Sequence, residues 1–96
     1  MIRAHVIVSG RVQGVYYRSY AVDEARELGI RGWVRNTSSG DVEAVFEGEQ
    51  DAVEEMVDWC WRGSPPSRVD SVKVTREDAT GEYEGFDVIY GHRRDR

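Results

Sequence analysis

The sequence predicts an α+β fold in which an antiparallel sheet carries two helices on one of its faces. Short β-branched segments alternate with longer amphipathic segments, and their order along the chain is β-α-β-β-α-β. With 96 residues, of which 40% are hydrophobic and 32% charged, the chain has the size and composition of one globular domain. We assign this domain to residues 1–90 and expect residues 91–96 to form a frayed basic tail.

The first predicted strand covers residues 4–10, and a glycine-rich loop at residues 10–14 ends it. A helix is predicted from about residue 18, because apolar residues recur at intervals of three and four before Gly29 stops the pattern. The apolar positions of this helix are Tyr17, Tyr20, Ala21, Ala25 and Leu28. Residues 30–37 form the second predicted strand, and residues 38–41 form a turn.

The third predicted strand alternates between apolar and acidic residues, which predicts one buried face and one solvent-exposed face. Its apolar residues are Val42, Ala44 and Phe46, and its acidic residues are Asp41, Glu43 and Glu47. The second helix is predicted from a stripe formed by Val53, Met56, Val57 and Cys60. Residues 69–75 form the fourth predicted strand, and residues 86–90 form a short extra edge strand.

Each helix has one apolar stripe to bury, and one face of a sheet accommodates both stripes. The β-α-β connections are expected to be right-handed, which places the two helices on the same side. The ferredoxin-like arrangement meets both conditions, so we predict a ferredoxin-like βαββαβ sandwich with a short extra edge strand.

Charge and cysteine content disfavour several classes of partner. The chain has 13 Lys and Arg against 18 Asp and Glu, and a net charge of -5 disfavours nucleic acid and anionic membranes as partners. No apolar run is long enough to cross a bilayer, and the apolar stretch after residues 1–5 is too short for a secretory leader. The single cysteine, Cys60, excludes an internal disulfide. It also excludes a multi-cysteine metal cage, and a reducing cytoplasm is the expected compartment. We expect a monomer, because nothing in the sequence demands a larger assembly, and we expect no cofactor.

The loop between the first strand and the first helix has the pattern of an anion-binding site. Gly10 and Gly14 allow the backbone to approach a ligand closely, and converging N–H groups then add to the positive end of the helix. Arg18, in the first helical turn, is suited to bind two oxygens of a phosphoryl group. The same pattern also fits a tight turn with a surface arginine.

Asn36 is the second candidate residue, at the end of the second predicted strand. An asparagine before a turn usually serves the geometry of the turn, because its side chain imitates the backbone. Its carboxamide also offers one acceptor and one donor, which suits it to hold a water molecule in line with a phosphorus atom.

Two motifs occur together, Gly10-Arg11-Val12-Gln13-Gly14-Val15-Tyr16-Tyr17-Arg18 and Gly32-Trp33-Val34-Arg35-Asn36-Thr37. With these motifs and Gly40-Asp41-Val42-Glu43, the chain resembles the acylphosphatase family over nearly its whole length. The resemblance implies a small ferredoxin-like hydrolase that cleaves the carboxyl–phosphate anhydride of small acyl phosphates. It also implies that neither a metal ion nor a covalent phosphoenzyme takes part.

The resemblance implies a role for each residue of the two motifs. Arg18 binds the phosphoryl group, and Asn36 positions the attacking water. The backbone amides that complete the phosphate site belong to Gln13, Gly14, Val15, Tyr16 and Tyr17. Thr37 takes a supporting position beside Asn36. The physiological acyl phosphate and the group that accepts the proton of the water are left open by the sequence.

Two other functions fit the same order of helices and strands. One is a non-catalytic phosphate-binding or partner-binding domain, which the length of the chain disfavours because no residues are left for a second domain. The other is a single-stranded RNA-binding module, which uses the same sheet and helix plan. The acidic residues of the third strand and the negative net charge disfavour RNA binding.

Overall fold

A computed structural model of the chain describes residues 1–90, so the predicted tail at residues 91–96 lies outside the described residues. The elements are β1 (Ile2–Arg11), α1 (Tyr17–Glu27), β2 (Arg31–Asn36), β3 (Val42–Gly48), α2 (Gln50–Arg62), β4 (Arg68–Asp78) and β5 (Phe86–Val88). Each predicted helix and strand is present, and its ends differ from the prediction by a few residues. Neither helix has the length and apolar character that crossing a bilayer requires.

The five strands form one open sheet in the order β4-β1-β3-β2-β5. Helix α1 packs on β2 and β5, whereas α2 packs on β1, β3 and β4, and the two helices contact each other. Alternation along β1 directs Ala4, Val6 and Val8 into the core beneath the helices. The predicted α+β fold with two helices on one face of the sheet is confirmed.

The four main strands pair antiparallel as predicted, and the short extra edge strand makes the sheet mixed. Strand β5 lies at the predicted edge position, but it pairs with β2 in parallel. The cause is the path of the chain after β4, which lies at the opposite edge and runs antiparallel to β1. Residues 79–85 carry the chain back across the sheet, and it re-enters in the direction of β2.

In this topology the carboxyl ends of three strands lie at the same end of the sheet. Strands β1 and β2 are both antiparallel to β3, and β5 is parallel to β2, so all three run in the same direction. The loop after β1, Asn36 at the end of β2, and Tyr90 just beyond β5 therefore lie at the same end of the sheet.

The buried face of α1 differs from the predicted face at Tyr20 and Val22. Tyr17, Ala21 and Ala25 are buried as predicted, and Val22 joins them. Tyr20 is 45% exposed, because it lies at the margin of this stripe and its ring reaches solvent. The apolar face predicted for α2 is buried as expected, including Cys60.

The outer face of β3, predicted to be exposed to solvent, is covered near its end. Val45 is fully buried and Glu47 is only 3% exposed. The Glu47 carboxylate accepts hydrogen bonds from the Thr80 N–H at 2.8 Å, the Thr80 hydroxyl at 3.0 Å and the Gly81 N–H at 3.1 Å. Burial acts to raise the pKa of Glu47, but these hydrogen bonds outweigh it and hold the pKa below its ordinary value.

Replacing Glu47 by Gln should destabilise the protein by about 1–3 kcal/mol at neutral pH, because an amide nitrogen then faces backbone donors. Since the pKa of folded Glu47 is lowered, its contribution is present above the unfolded pKa and is lost as the pH falls through the folded pKa. The difference in unfolding free energy between wild type and Glu47→Gln should therefore shrink from about pH 7 to about pH 3. Urea denaturation at each pH measures this difference.

The matched control is Glu54→Gln. Glu54 accepts a bidentate contact from Arg76, with both sides of this ion pair exposed at the surface. Its loss should change stability by at most about 1 kcal/mol at neutral pH. Equal losses for the two variants would contradict the assignment of Glu47 as a buried anchor for the segment that follows β4.

Candidate active site

The loop between β1 and α1 reaches the helix through two left-handed residues. Gly14 has φ 76°, and Tyr16 has φ 66° although it carries a side chain. A left-handed conformation costs a non-glycine residue roughly 1–2 kcal/mol, and such strain is found mainly at functional sites. Left-handed residues in loops of this kind direct neighbouring N–H groups toward a common point.

The amino terminus of α1 has no cap from a side chain. Tyr16 occupies the capping position, where Ser, Thr, Asp or Asn is usual, and no acidic residue lies in the first turn. Among the described residues, no acceptor takes a hydrogen bond from the backbone N–H groups of residues 13–19. These donors and the positive end of the helix dipole together form a site suited to an anion.

Side chains hold this loop against two neighbouring segments. The Gln13 Nε2 donates hydrogen bonds of 2.8 Å to the carbonyl oxygens of both Thr37 and Asp41. The Ser64 hydroxyl, almost fully buried, donates to the carbonyl oxygen of Val15 at 2.7 Å. The loop is therefore fixed both to the turn after β2 and to the segment after α2.

Tyr17 anchors the start of α1 to α2. Its hydroxyl donates a hydrogen bond of 2.8 Å to the carbonyl oxygen of Cys60, and its ring packs against Trp59 with centroids 5.2 Å apart. Burial raises the pKa of Tyr17 above its ordinary value. Burial also raises the pKa of the Cys60 thiol to about 12, so this cysteine is a neutral core residue and not a nucleophile.

A cavity of about 260 Å³ opens at the amino terminus of α1. It is lined by Val12, Gly14, Tyr16, Tyr17, Arg18, Ser19, Asn36, Val88 and Tyr90. The structure therefore brings Arg18 and Asn36 to one cavity, together with three of the predicted loop residues. Gln13 and Val15 do not line the cavity, and their hydrogen bonds to neighbouring segments fix the loop.

Two polar side chains of this cavity, Asn36 and Arg18, have polar atoms that the described residues leave available to a ligand. The Asn36 Oδ1 is buried, and no described residue donates a hydrogen bond to it. Within residues 1–90 the Arg18 guanidinium forms no ion pair, and its Cζ lies 5.4 Å from the centroid of the Tyr90 ring. A buried carbonyl oxygen without a donor is costly, so it indicates a place where a donor such as water binds.

Thr37 organises the turn that follows Asn36. Its hydroxyl accepts a hydrogen bond of 3.1 Å from the Asp41 N–H, and its own N–H donates to the Asp41 carbonyl oxygen at 2.9 Å. These bonds fix the end of β2, where Asn36 pairs with Val42 in the register with β3. Thr37 lies outside the lining of the cavity and acts on the position of Asn36 through the backbone.

Sequence reasoning missed Tyr90, Val88, Val12 and Ser19 as residues of this cavity. A usable signal existed for two of them. Alternate residues of β5 face the same side, so buried Phe86 predicts that Val88 and Tyr90 also face the helices.

A larger cavity of about 570 Å³ lies on the sheet face opposite the helices. Its lining includes Trp33, Glu43 and Tyr83. Glu43 accepts hydrogen bonds from His5 Nε2 at 2.6 Å and Arg35 Nε at 2.7 Å. Burial acts to raise the pKa of Glu43, and these hydrogen bonds outweigh burial and lower it. The carboxylate is therefore already satisfied, and within residues 1–90 this cavity shares no lining residue with the one at α1.

Comparison with known families gives a match over most of the chain. The family model described as "Acylphosphatase" matches residues 4–88. The chain belongs to the acylphosphatase family. This membership confirms the predicted family and the predicted enzyme class, a hydrolase of acyl phosphates.

Individual acylphosphatases are similar to the chain in sequence and in structure. The acylphosphatase of Pelotomaculum thermopropionicum is 52% identical over 88 residues, which cover 92% of this chain and 96% of that protein. The acylphosphatase of Natronomonas pharaonis is 60% identical over 87 residues, covering 91% and 94% of the two chains. The crystal structure of the Bacillus subtilis acylphosphatase superposes with a TM-score of 0.91 at 36% identity, covering 94% of this chain and all of that one.

Replacing Gly14 by Ala tests the left-handed conformation of the loop in this family member. A Cβ at Gly14 meets nothing within 4 Å, so steric contacts should not contribute to the loss of stability in Gly14→Ala. The loss then measures the cost of holding alanine at φ 76°, about 1–2 kcal/mol of unfolding free energy. Gly85 is the matched control, because it is equally open but has no positive φ. Thermal or urea denaturation should show a loss for Gly14→Ala alone. An equal change in both variants would contradict a conformational requirement at Gly14.

Proposed function

We propose that the chain hydrolyses small acyl phosphates by direct attack of water on a phosphoryl group bound in the α1 cavity. Arg18 and the backbone amides of residues 13–17 bind the phosphoryl oxygens, and Asn36 orients the water. The observation that carries this proposal is the single cavity that contains Arg18, Asn36 and the uncapped start of α1.

Charge stabilisation by fixed donors is the main catalytic effect in this proposal. Phosphoryl transfer depends mostly on positioning and on neutralising the charge of the phosphoryl oxygens. Loop donors held by Gln13 and Ser64 need little reorganisation when the substrate binds. The planar guanidinium of Arg18 adds a full charge and binds two oxygens at once.

Asn36 places the attacking water in line with the bond that breaks. Its buried Oδ1 accepts a hydrogen bond from the water, which directs the lone pair of the water oxygen toward phosphorus. The new bond joins the water oxygen to phosphorus, the bond from phosphorus to the acyl oxygen breaks, and the carboxylate leaves. None of the described residues that line the cavity is Asp, Glu or His, so a phosphoryl oxygen takes the proton of the water.

The remaining parts of the proposal concern the setting of the reaction. We propose a cytoplasmic monomer with one catalytic domain at residues 1–90, which uses neither metal nor cofactor and binds no nucleic acid. The free thiol of Cys60 fits a reducing compartment. The net charge of -5 supports a small ligand bound by local donors, and not a nucleic acid bound by bulk charge.

Arg18→Ala and Asn36→Ala should each reduce turnover of benzoyl phosphate by about 10²–10³-fold, the usual loss for one preorganised group. Both side chains lie at the surface of a cavity and not in the core, so the folded structure should be retained. Release of inorganic phosphate from benzoyl phosphate measures activity, and circular dichroism with thermal denaturation measures folding.

Arg31→Ala and Gln50→Ala are matched controls, because they remove an exposed guanidinium and an exposed carboxamide from the starts of β2 and α2. Both should keep wild-type turnover, and a chelator should leave the wild-type rate unchanged. Absence of turnover in the wild type would favour a non-catalytic phosphate-binding domain. Wild-type turnover in either site variant would refute the role of that residue.

A further inference from the structure

Tyr90 contacts the catalytic arginine through the face of its ring. The Arg18 Cζ lies 5.4 Å from the ring centroid, which is within the range of a cation–π interaction. We propose that Tyr90 is a positioning residue that holds the Arg18 guanidinium in the cavity while leaving its N–H groups free for the phosphoryl oxygens. This inference rests on the function proposed above.

The backbone fixes Tyr90 at this place. The Ile89 N–H donates a hydrogen bond of 2.9 Å to the Val34 carbonyl oxygen, which extends the pairing of β5 with β2 beyond Val88. The parallel register pairs Val34 with Val88, so its continuation by two residues sets Tyr90 beside Asn36. Tyr90 and Asn36 therefore line the same cavity from neighbouring strands.

The kind of contact matters for the chemistry of Arg18. Several other arginines of the described chain are held by carboxylates, for example Arg76 by Glu54 at 2.6 Å and Arg26 by Asp87 at 3.3 Å. A carboxylate beside Arg18 would occupy the N–H groups that bind phosphate and would repel the substrate. The face of an aromatic ring attracts the cation and uses none of its five N–H donors.

The expected energetic effect is modest, because Tyr90 is 66% exposed. A long arginine side chain loses conformational freedom when it binds an anion, and a contact that already restricts it reduces this loss. Cation–π contacts at exposed sites correspond to an effect of about two- to fivefold on an equilibrium constant. The effect should fall on binding of the phosphoryl group, since the contact exists before the reaction begins.

The test compares Tyr90→Leu with Tyr90→Phe. Tyr90→Leu removes the ring and should raise both KM for benzoyl phosphate and Ki for inorganic phosphate about two- to fivefold, with kcat little changed. Tyr90→Phe keeps the ring and should restore both constants to near wild-type values. Tyr20→Leu is the matched control, because Tyr20 is an exposed tyrosine of α1 that does not line the cavity.

Each alternative result has a distinct meaning. Wild-type constants in Tyr90→Leu, or equal losses in Tyr90→Leu and Tyr90→Phe, overturn the positioning role because the ring is then not the operative group. If Tyr90 acts through Arg18, Tyr90→Leu should not weaken phosphate binding further once Arg18 has been replaced by Ala. Titration of inorganic phosphate into Arg18→Ala and into Arg18→Ala combined with Tyr90→Leu compares the two affinities. Weaker binding by the double variant overturns the action through Arg18. Wild-type turnover in Arg18→Ala would instead defeat the proposed function itself.

Discussion

The unsatisfied amino terminus of α1 is the constraint on which the rest of the structure depends. Helices usually satisfy their first N–H groups with a capping side chain, but Tyr16 in the capping position supplies none. The loop must then be held by other contacts, and Gln13 and Ser64 hold it from two directions. The donors that these contacts leave free form an anion site, where we propose that the phosphoryl group binds. The local cost in stability is then also the source of binding.

The topology of the sheet explains how one small domain assembles this site. Three strands that run in the same direction finish at one end of the sheet, and each contributes one part: the loop after β1, Asn36 at the end of β2 and Tyr90 after β5. The parallel pairing of β5 is essential to this arrangement. If β5 ran antiparallel to β2, its carboxyl end would lie at the opposite end of the sheet, away from the site. The opposite face of the sheet anchors the returning chain through Glu47.

The elements of the fold could be predicted because they depend on local pattern, whereas Arg18 and Asn36 were assigned roles through the resemblance of two motifs to the acylphosphatase family. Apolar spacing determines the helices, and the glycine-rich loop before Arg18 has a recognisable composition. Features that depend on distant segments could not be predicted in this way. Glu47 is buried in contact with Thr80 and Gly81, and the direction of β5 results from the path of the chain. Gln13 fixes the loop by donating to carbonyl oxygens at positions 37 and 41.

The most direct test of the central claim is titration of inorganic phosphate followed by amide NMR. The account predicts that the backbone amides of residues 13–19 and the side-chain amide of Asn36 shift together, with one dissociation constant. Donors that form hydrogen bonds to an anion should show the largest changes. If these signals stay in place while signals near Trp33 and Tyr83 shift, phosphate binds the opposite face and the account is wrong.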